Sequence, residues 1–339
     1  MAHVEGGAQF MFLSVILPLF TLFLGLALLV WSSDVFIDSA ASVAQHLNIA
    51  PLIIGVVVLG FGTSAPEMLV AILAAFNNSP GLAIGNVVGS NIANIGLILG
   101  ITAIVSPIII KSSLLKREFP ILLAISVIGI LLMLDNDLDT LDGMILIVLL
   151  VLVMGWMIHA NRTVCPTDPM SEETLEELKE HPKMGLKKSW LLLFTGLVIL
   201  IMSAKMMVWG AVEIAHFFEV PEMIIGLTII AIGTSLPELA AAISAARKGE
   251  ADLMIGNIIG SNLFNLLAVL SMPALIAPSL IETTTLIIDY PIMLALTLAM
   301  LLVALPRKGR AVITRTEGSL LLISFVGYML LLYFRAING

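Results

Sequence analysis

Apolar residues run through this chain in ten long blocks, near residues 11–33, 49–77, 81–106, 118–134, 140–160, 189–216, 221–246, 251–277, 284–305 and 316–335, divided by polar breaks. The blocks are continuous and do not alternate every second residue, which predicts membrane-spanning helices of about 20 residues instead of the strands of a barrel. The longest break, 161–188, separates a first half, 1–160, from a second half, 189–339. Within that break, residues 171–178 read as a short acidic helix capped by Ser171, part of a solvated linker.

Basic residues orient the blocks. With the N-terminus outside, 14 of the 16 Lys and Arg fall in inner loops, among them Lys111, Lys116, Arg117, Arg247, Lys248 and Arg307. Lys205 lies within a block and Arg335 on the outer side. Such an excess in cytoplasmic loops favours this orientation over its inverse, with both termini outside and 161–188 cytoplasmic. Residues 1–10 hold no Lys or Arg, so the first block is expected to be a retained helix and not a signal peptide. The expected location is the inner or cell membrane of a prokaryote.

The polar positions that interrupt the blocks occur in pairs. Gly62-Thr63-Ser64-Ala65-Pro66-Glu67 returns as Gly233-Thr234-Ser235-Leu236-Pro237-Glu238, each matched residue 171 places later. Gly85-Asn86-Val87-Val88-Gly89-Ser90-Asn91-Ile92-Ala93-Asn94 returns at the same offset as Gly256-Asn257-Ile258-Ile259-Gly260-Ser261-Asn262-Leu263-Phe264-Asn265. Five blocks separate the copies, so they enter the membrane from opposite sides, as in an inverted repeat. The expected fold is therefore an all-α polytopic membrane protein of ten transmembrane helices in two inverted five-helix halves.

Composition narrows the classes further. With 59% hydrophobic residues, 12% charged and a mean hydropathy of +1.10, a soluble globular chain is excluded. The net charge of −8 arises mainly from one loop and one turn, so it says little about partners. Cys165, the sole cysteine, cannot form an intrachain disulfide. Asp135-Asn136-Asp137-Leu138-Asp139-Thr140 begins like a calcium-binding loop, but Thr140 replaces the turn glycine and Leu146 the bidentate glutamate, so it reads as an ordinary acidic turn. No HExxH motif and no nucleophile with a base is present, which argues against an enzyme, and no cofactor is expected.

The paired motifs carry the chemistry. Glu67 and Glu238 lie well inside their blocks, where an unpaired carboxylate costs roughly 3 kcal/mol or more. Neither motif holds a basic residue, so the natural counter-charge is a cation. Pro66 and Pro237 lack an amide hydrogen and free the carbonyls of Gly62 and Gly233, predicting helix breaks beside the hydroxyls of Thr63, Ser64, Thr234 and Ser235. Asn86, Ser90 and Asn94, and likewise Asn257, Ser261 and Asn265, recur at four-residue spacing as a polar stripe on one helix face. The glycine pairs Gly85 and Gly89, and Gly256 and Gly260, suit close helix packing. Carboxylate, hydroxyl and amide oxygens without His or Cys are ligands for a hard cation, Ca²⁺ or the similarly sized Na⁺.

These two motif pairs resemble the alpha-repeats of the calcium/cation antiporter superfamily, especially its microbial sodium/calcium exchangers. The resemblance covers essentially the whole chain, with repeat 1 at about 49–106 and repeat 2 at about 221–277. It implies ten helices, four adjacent cation sites, and side-chain ligands Thr63, Ser64, Glu67, Ser90 and Asn94 from one half. The other half supplies Thr234, Ser235, Glu238, Ser261 and Asn265, with backbone carbonyls from Gly60 and Ala231. It also implies an electrogenic antiporter exchanging Ca²⁺ for Na⁺ by alternating access, with Ca²⁺, Na⁺ and the lipid bilayer as partners, no nucleic acid, and a monomer compatible with the sequence. Two positions depart from the family pattern. Asn265 stands where many relatives carry aspartate, which disfavours potassium co-transport. Lys205 stands opposite Asp34 in the repeat, where an acidic residue is expected, and reads as a snorkelling lysine near the outer interface. A proton/calcium antiporter is the first alternative, disfavoured because that branch usually has Asn where this chain has Thr63 and Thr234. A cation channel is the second, disfavoured by the inverted halves.

Overall fold

The computed structural model describes residues 15–47, 54–76, 80–110, 112–162, 184–218, 231–305 and 311–338. The acidic linker segment, Cys165 and the first part of the 221–246 block lie outside the described residues. The fold is helical: α1 (Leu17–Leu47), α2 (Ile54–Thr63), α3 (Ala65–Phe76), α4 (Pro80–Val105), α5 (Ser112–Leu132), α6 (Thr140–Arg162), α7 (Leu186–Phe217), α8 (Ala231–Thr234), α9 (Leu236–Arg247), α10 (Ala251–Ile276), α11 (Thr285–Ala304) and α12 (Arg315–Asn338). Four two-residue strands join these: β1 (Ile108–Ile109), β2 (Asp137–Leu138), β3 (Ser279–Leu280) and β4 (Val312–Ile313).

Among the described residues seven helices are long and apolar enough to cross a membrane, and the pair α2–α3, bent by 45° at its break, makes an eighth. The shortfall from ten has a local cause. Lys116, Arg117 and Glu118 crowd the first turns of α5, and only the latter part of the 221–246 block is described.

Polar side chains are buried within the apolar core, while many large apolar ones are left on the surface. Phe20, Phe23, Val151, Leu191, Leu280 and Ile323 are among many large hydrophobics left exposed, whereas Thr63, Ser64, Glu67, Asn94, Asn257, Ser261 and Asn265 are buried. An apolar surface far larger than any patch on a soluble monomer matches a lipid surround. At the centre lie α4 and α10, the two most buried of the candidate spans.

Helix α1 ends later than hydropathy predicts, at Leu47 instead of near residue 33. Asp34 and Asp38 lower the local hydropathy, but their i, i+4 spacing sets both on one face, toward Lys248 and Ser244 at the end of α9. With those charges met, Phe36, Ile37, Ala40, Val43 and Ala44 stay buried and the helix continues.

The halves interlock reciprocally. Helices α1 and α7 pack along their length: a Cβ on Gly25 would lie 2.9 Å from the Ser203 carbonyl and Met207, and one on Gly196 would lie 3.3 Å from the Phe36 backbone. Gly25 and Gly196, and Phe36 and Met207, are matched positions of the 171-residue repeat. The strands follow the same rule. β1 pairs with β4 through Ile108 and Ile313, and β2 with β3 through Asp137 and Leu280. Beyond each ladder the matched residues Ile110 and Ile281 donate to the carbonyls of Ala311 and Asn136, both at 2.8 Å.

The acidic turn before α6 is structural. Asp139 Oδ1 accepts from the N–H groups of Leu141 and Asp142, and Asp142 Oδ2 accepts from Asp139 N–H, a capping box that occupies these carboxylates. Asn136 takes the left-handed conformation that asparagine tolerates, at φ 64°. Thr314 and Glu317 form the corresponding box at the start of α12.

Candidate cation site

Both helix breaks occur where glycine, hydroxyls and proline meet. Ser64 has φ −80° and ψ 6°, Ser235 φ −91° and ψ 7°, and in each copy the helix restarts with proline in its first turn, where no N–H is needed. The breaks place Glu67 and Glu238 at the first turns of α3 and α9. Both carboxylates are buried, at 1% and 2% exposure.

Each glutamate is met by the opposite half. Ser64 donates to Glu238 Oε1 at 3.4 Å, while Thr234 bonds to Glu67. Thr63 donates to the Leu59 carbonyl at 3.0 Å and to Asn257 Oδ1 at 3.2 Å, and lies 3.4 Å from Ser261 Oγ. Asn257 in turn reaches the Glu238 carbonyl.

Close backbone contact sets this geometry. A Cβ on Gly60 would stand 2.7 Å from the Gly260 carbonyl carbon, and one on Gly55 would stand 3.0 Å from Gly256 Cα. The predicted packing role of Gly256 and Gly260 is thus realised against α2. For Gly85 and Gly89 no described atom approaches, and residue 226, the repeat match of Gly55, lies outside the described residues.

The ten predicted ligands that would act through side chains are all buried or half-buried. Ser90 is buried. The Gly60 carbonyl accepts the Ser64 N–H at 3.2 Å and so keeps one lone pair for another partner. Ala231 begins α8, and its backbone is placed next to the second break.

Several buried oxygens of the two motifs have no hydrogen-bond partner among the described residues: Glu67 Oε2, Glu238 Oε2, Asn94 Oδ1, Asn265 Oδ1 and Ser235 Oγ. Leaving a buried acceptor unmet costs about 1–3 kcal/mol, and more for a charged one. By contrast, Asp289, also at depth, is satisfied by Arg335 at 2.8 Å and Tyr328 at 3.4 Å. Among the described residues no three His, Cys, Asp or Glu side chains gather, so neutral oxygens must make up most of any coordination shell.

Sequence reasoning missed two participants. Asn91 and Asn262 are buried, and Asn94 donates to Asn262 Oδ1 at 2.9 Å while Asn265 donates to Asn91 Oδ1 at 3.1 Å. Their off-stripe position concealed them, although the Gly-Ser-Asn triplet in both repeats was a visible signal. Short π-helical stretches beginning at Asn94 and Asn265 also went unpredicted. Such bulges concentrate at functional sites.

Known proteins share this sequence and this fold. Residues 17–159 and 188–334 match the family model described as sodium/calcium exchanger protein. CaxA of Alkalimonas amylolytica is 44% identical over 91% of this chain and 96% of its own length. The sodium/calcium exchanger MaX1 of Methanosarcina acetivorans is 29% identical over 92% of this chain and 97% of its own. A solved structure of the sodium-calcium exchanger NCX_Mj, soaked with zero Na⁺ and Ca²⁺, superposes with a TM-score of 0.80 at 30% identity, covering 94% of this chain and 99% of that one. The chain is an all-helical polytopic membrane protein and belongs to the sodium/calcium exchanger family.

Proposed function

We propose that this chain exchanges Ca²⁺ for Na⁺ across a prokaryotic cell or inner membrane by alternating access, in a ten-helix fold of two inverted halves. The observation that carries the reading is the set of buried oxygens without partners, contributed by both motif copies and including one carboxylate oxygen from each. A dehydrated Ca²⁺ takes 6–8 oxygens, and two carboxylates balance its charge. Na⁺, of similar size, can use the same oxygens, so the two cargoes compete for one cage. Thr63, Ser64, Glu67, Ser90, Asn94 and the Gly60 carbonyl would serve from one half. Thr234, Ser235, Glu238, Ser261, Asn265 and the Ala231 carbonyl would serve from the other.

The reciprocal contacts support the exchange mechanism. Because each glutamate is held by hydroxyls of the opposite half, a rocking of one half against the other moves both walls of the cage together. Broken helices supply the joints, and an occupied cage compensates the unmet acceptors that an empty one leaves.

Proteoliposomes loaded with Na⁺, K⁺ or a proton gradient and assayed for ⁴⁵Ca²⁺ uptake test the reading. Only the outward Na⁺ gradient is expected to drive uptake, and Glu67→Gln or Glu238→Gln should abolish it. Uptake driven by protons alone, or flux without a counter-ion, would overturn the assignment.

A further inference from the structure

The two central amides present oxygen to the cage, and something must hold them that way round. An asparagine ligates a cation only in one of two orientations related by a half-turn of its amide. Reversed, it would aim two N–H donors, with their partial positive charge, at the ion. Asn265 Nδ2 donates to Asn91 Oδ1 at 3.1 Å and Asn94 Nδ2 to Asn262 Oδ1 at 2.9 Å. The Oδ1 atoms of Asn94 and Asn265 are left buried without a partner.

Asn91 is itself directed. Its Nδ2 faces the Asn262 backbone carbonyl at 3.5 Å and Met293 Sδ at 3.6 Å. Turning that amide over would set Oδ1 against a carbonyl oxygen, so the order runs one way: the Asn262 carbonyl fixes Asn91, and Asn91 fixes Asn265. The pairs are crossed between the repeats. Asn91 and Asn94 belong to one copy, Asn262 and Asn265 to the other, so each half orients the ligand of its counterpart.

We propose that Asn91 and Asn262 are positioning residues that lock Asn265 and Asn94 with oxygen toward the cage, setting its affinity for cations without touching the ion. This rests on the cage described under the proposed function. A carboxylate offers oxygen on both sides and needs no such lock, so the effect of losing the lock should vanish when the held residue is aspartate.

A double-mutant cycle decides the matter. Equilibrium ⁴⁵Ca²⁺ binding to detergent-solubilised protein is compared for the wild type, Asn91→Leu, Asn265→Asp and the double variant, with melting temperatures alongside. Leucine keeps the branched heavy-atom skeleton of asparagine and offers no hydrogen bond. Asn91→Leu should weaken Ca²⁺ binding about tenfold, the worth of one buried polar contact. In the Asn265→Asp background the same change should alter binding less than twofold. Asn262→Leu with Asn94→Asp forms a second cycle with the same expected result, and since Asn262 Nδ2 has no partner, that substitution removes a single hydrogen bond. Binding unchanged by the leucine substitutions, or weakened equally in both backgrounds as a packing defect would do, overturns the proposal. Reading binding instead of transport keeps the outcomes separate: a chain that binds Ca²⁺ without coupling to Na⁺ fails the exchange reading yet still decides this one.

Discussion

At Gly260 the absence of a side chain determines how close two helices come. A Cβ there would lie 2.5 Å from the Val56 carbonyl oxygen, and the obstacle is backbone, which cannot rotate aside. The approach it permits brings Thr63 to Asn257 and Ser261 one turn further along. Gly260→Ala is therefore expected to cost about 1–3 kcal/mol by overpacking, seen as a melting temperature several degrees lower, and to weaken Ca²⁺ binding through the displaced Thr63. Gly327→Ala is the control, since Gly327 is exposed and a Cβ there meets no described atom. Equal behaviour of the two variants would remove the packing argument. At this scale the sequence displays what is rare and conceals what is common. Glu67 and Glu238 stand out because a carboxylate inside an apolar block needs a reason. Asn91 and Asn262 do not, because their role depends on amides from a copy of the motif 171 residues away.

Among the elements, the two breaks at Ser64 and Ser235 concern function more than stability. Pro66 withholds an N–H from the Gly62 carbonyl, and α2 meets α3 at 45°. Pro66→Ala restores the donor and lets the helix run straighter. The expected outcome is a melting temperature unchanged or raised, with the initial rate of Na⁺-driven ⁴⁵Ca²⁺ uptake at least about tenfold lower as the Glu67 turn is re-aimed. A variant transporting at the wild-type rate would show that the break is incidental. Proline and glycine make these breaks legible from sequence. The π-helical turns at Asn94 and Asn265 are not, because a wider turn has no composition of its own. The end of α1 was hidden for a related reason. Hydropathy sums residues along one helix, whereas Asp34 and Asp38 meet Ser244 and Lys248 from elsewhere in the chain.

For the whole molecule, the repeat offset is legible in sequence and recurs in space. Glutamates with hydroxyls, crossed asparagines, glycine contacts of α1 and α7, and both strand ladders all relate residues 171 apart or their partners. The ladders bear on the number of crossings: β1 joins β4 and β2 joins β3, so each pair of loops shares a face, as the even number of predicted blocks between them requires in either orientation of the chain. The proposed inverted relation makes an unusual demand of Ile109 and Leu280, the same position in the two copies, 68% and 79% exposed at strand edges. They should face opposite sides of the membrane. With Cys165→Ser as background, Ile109→Cys should resist a membrane-impermeant maleimide on intact cells and react in inside-out vesicles. Leu280→Cys should do the reverse. Because the two sites match in local structure and exposure, a difference in labelling reports sidedness and not reactivity, and labelling of both from one face would mean that the halves run parallel and that the symmetric rocking of the cage has no basis.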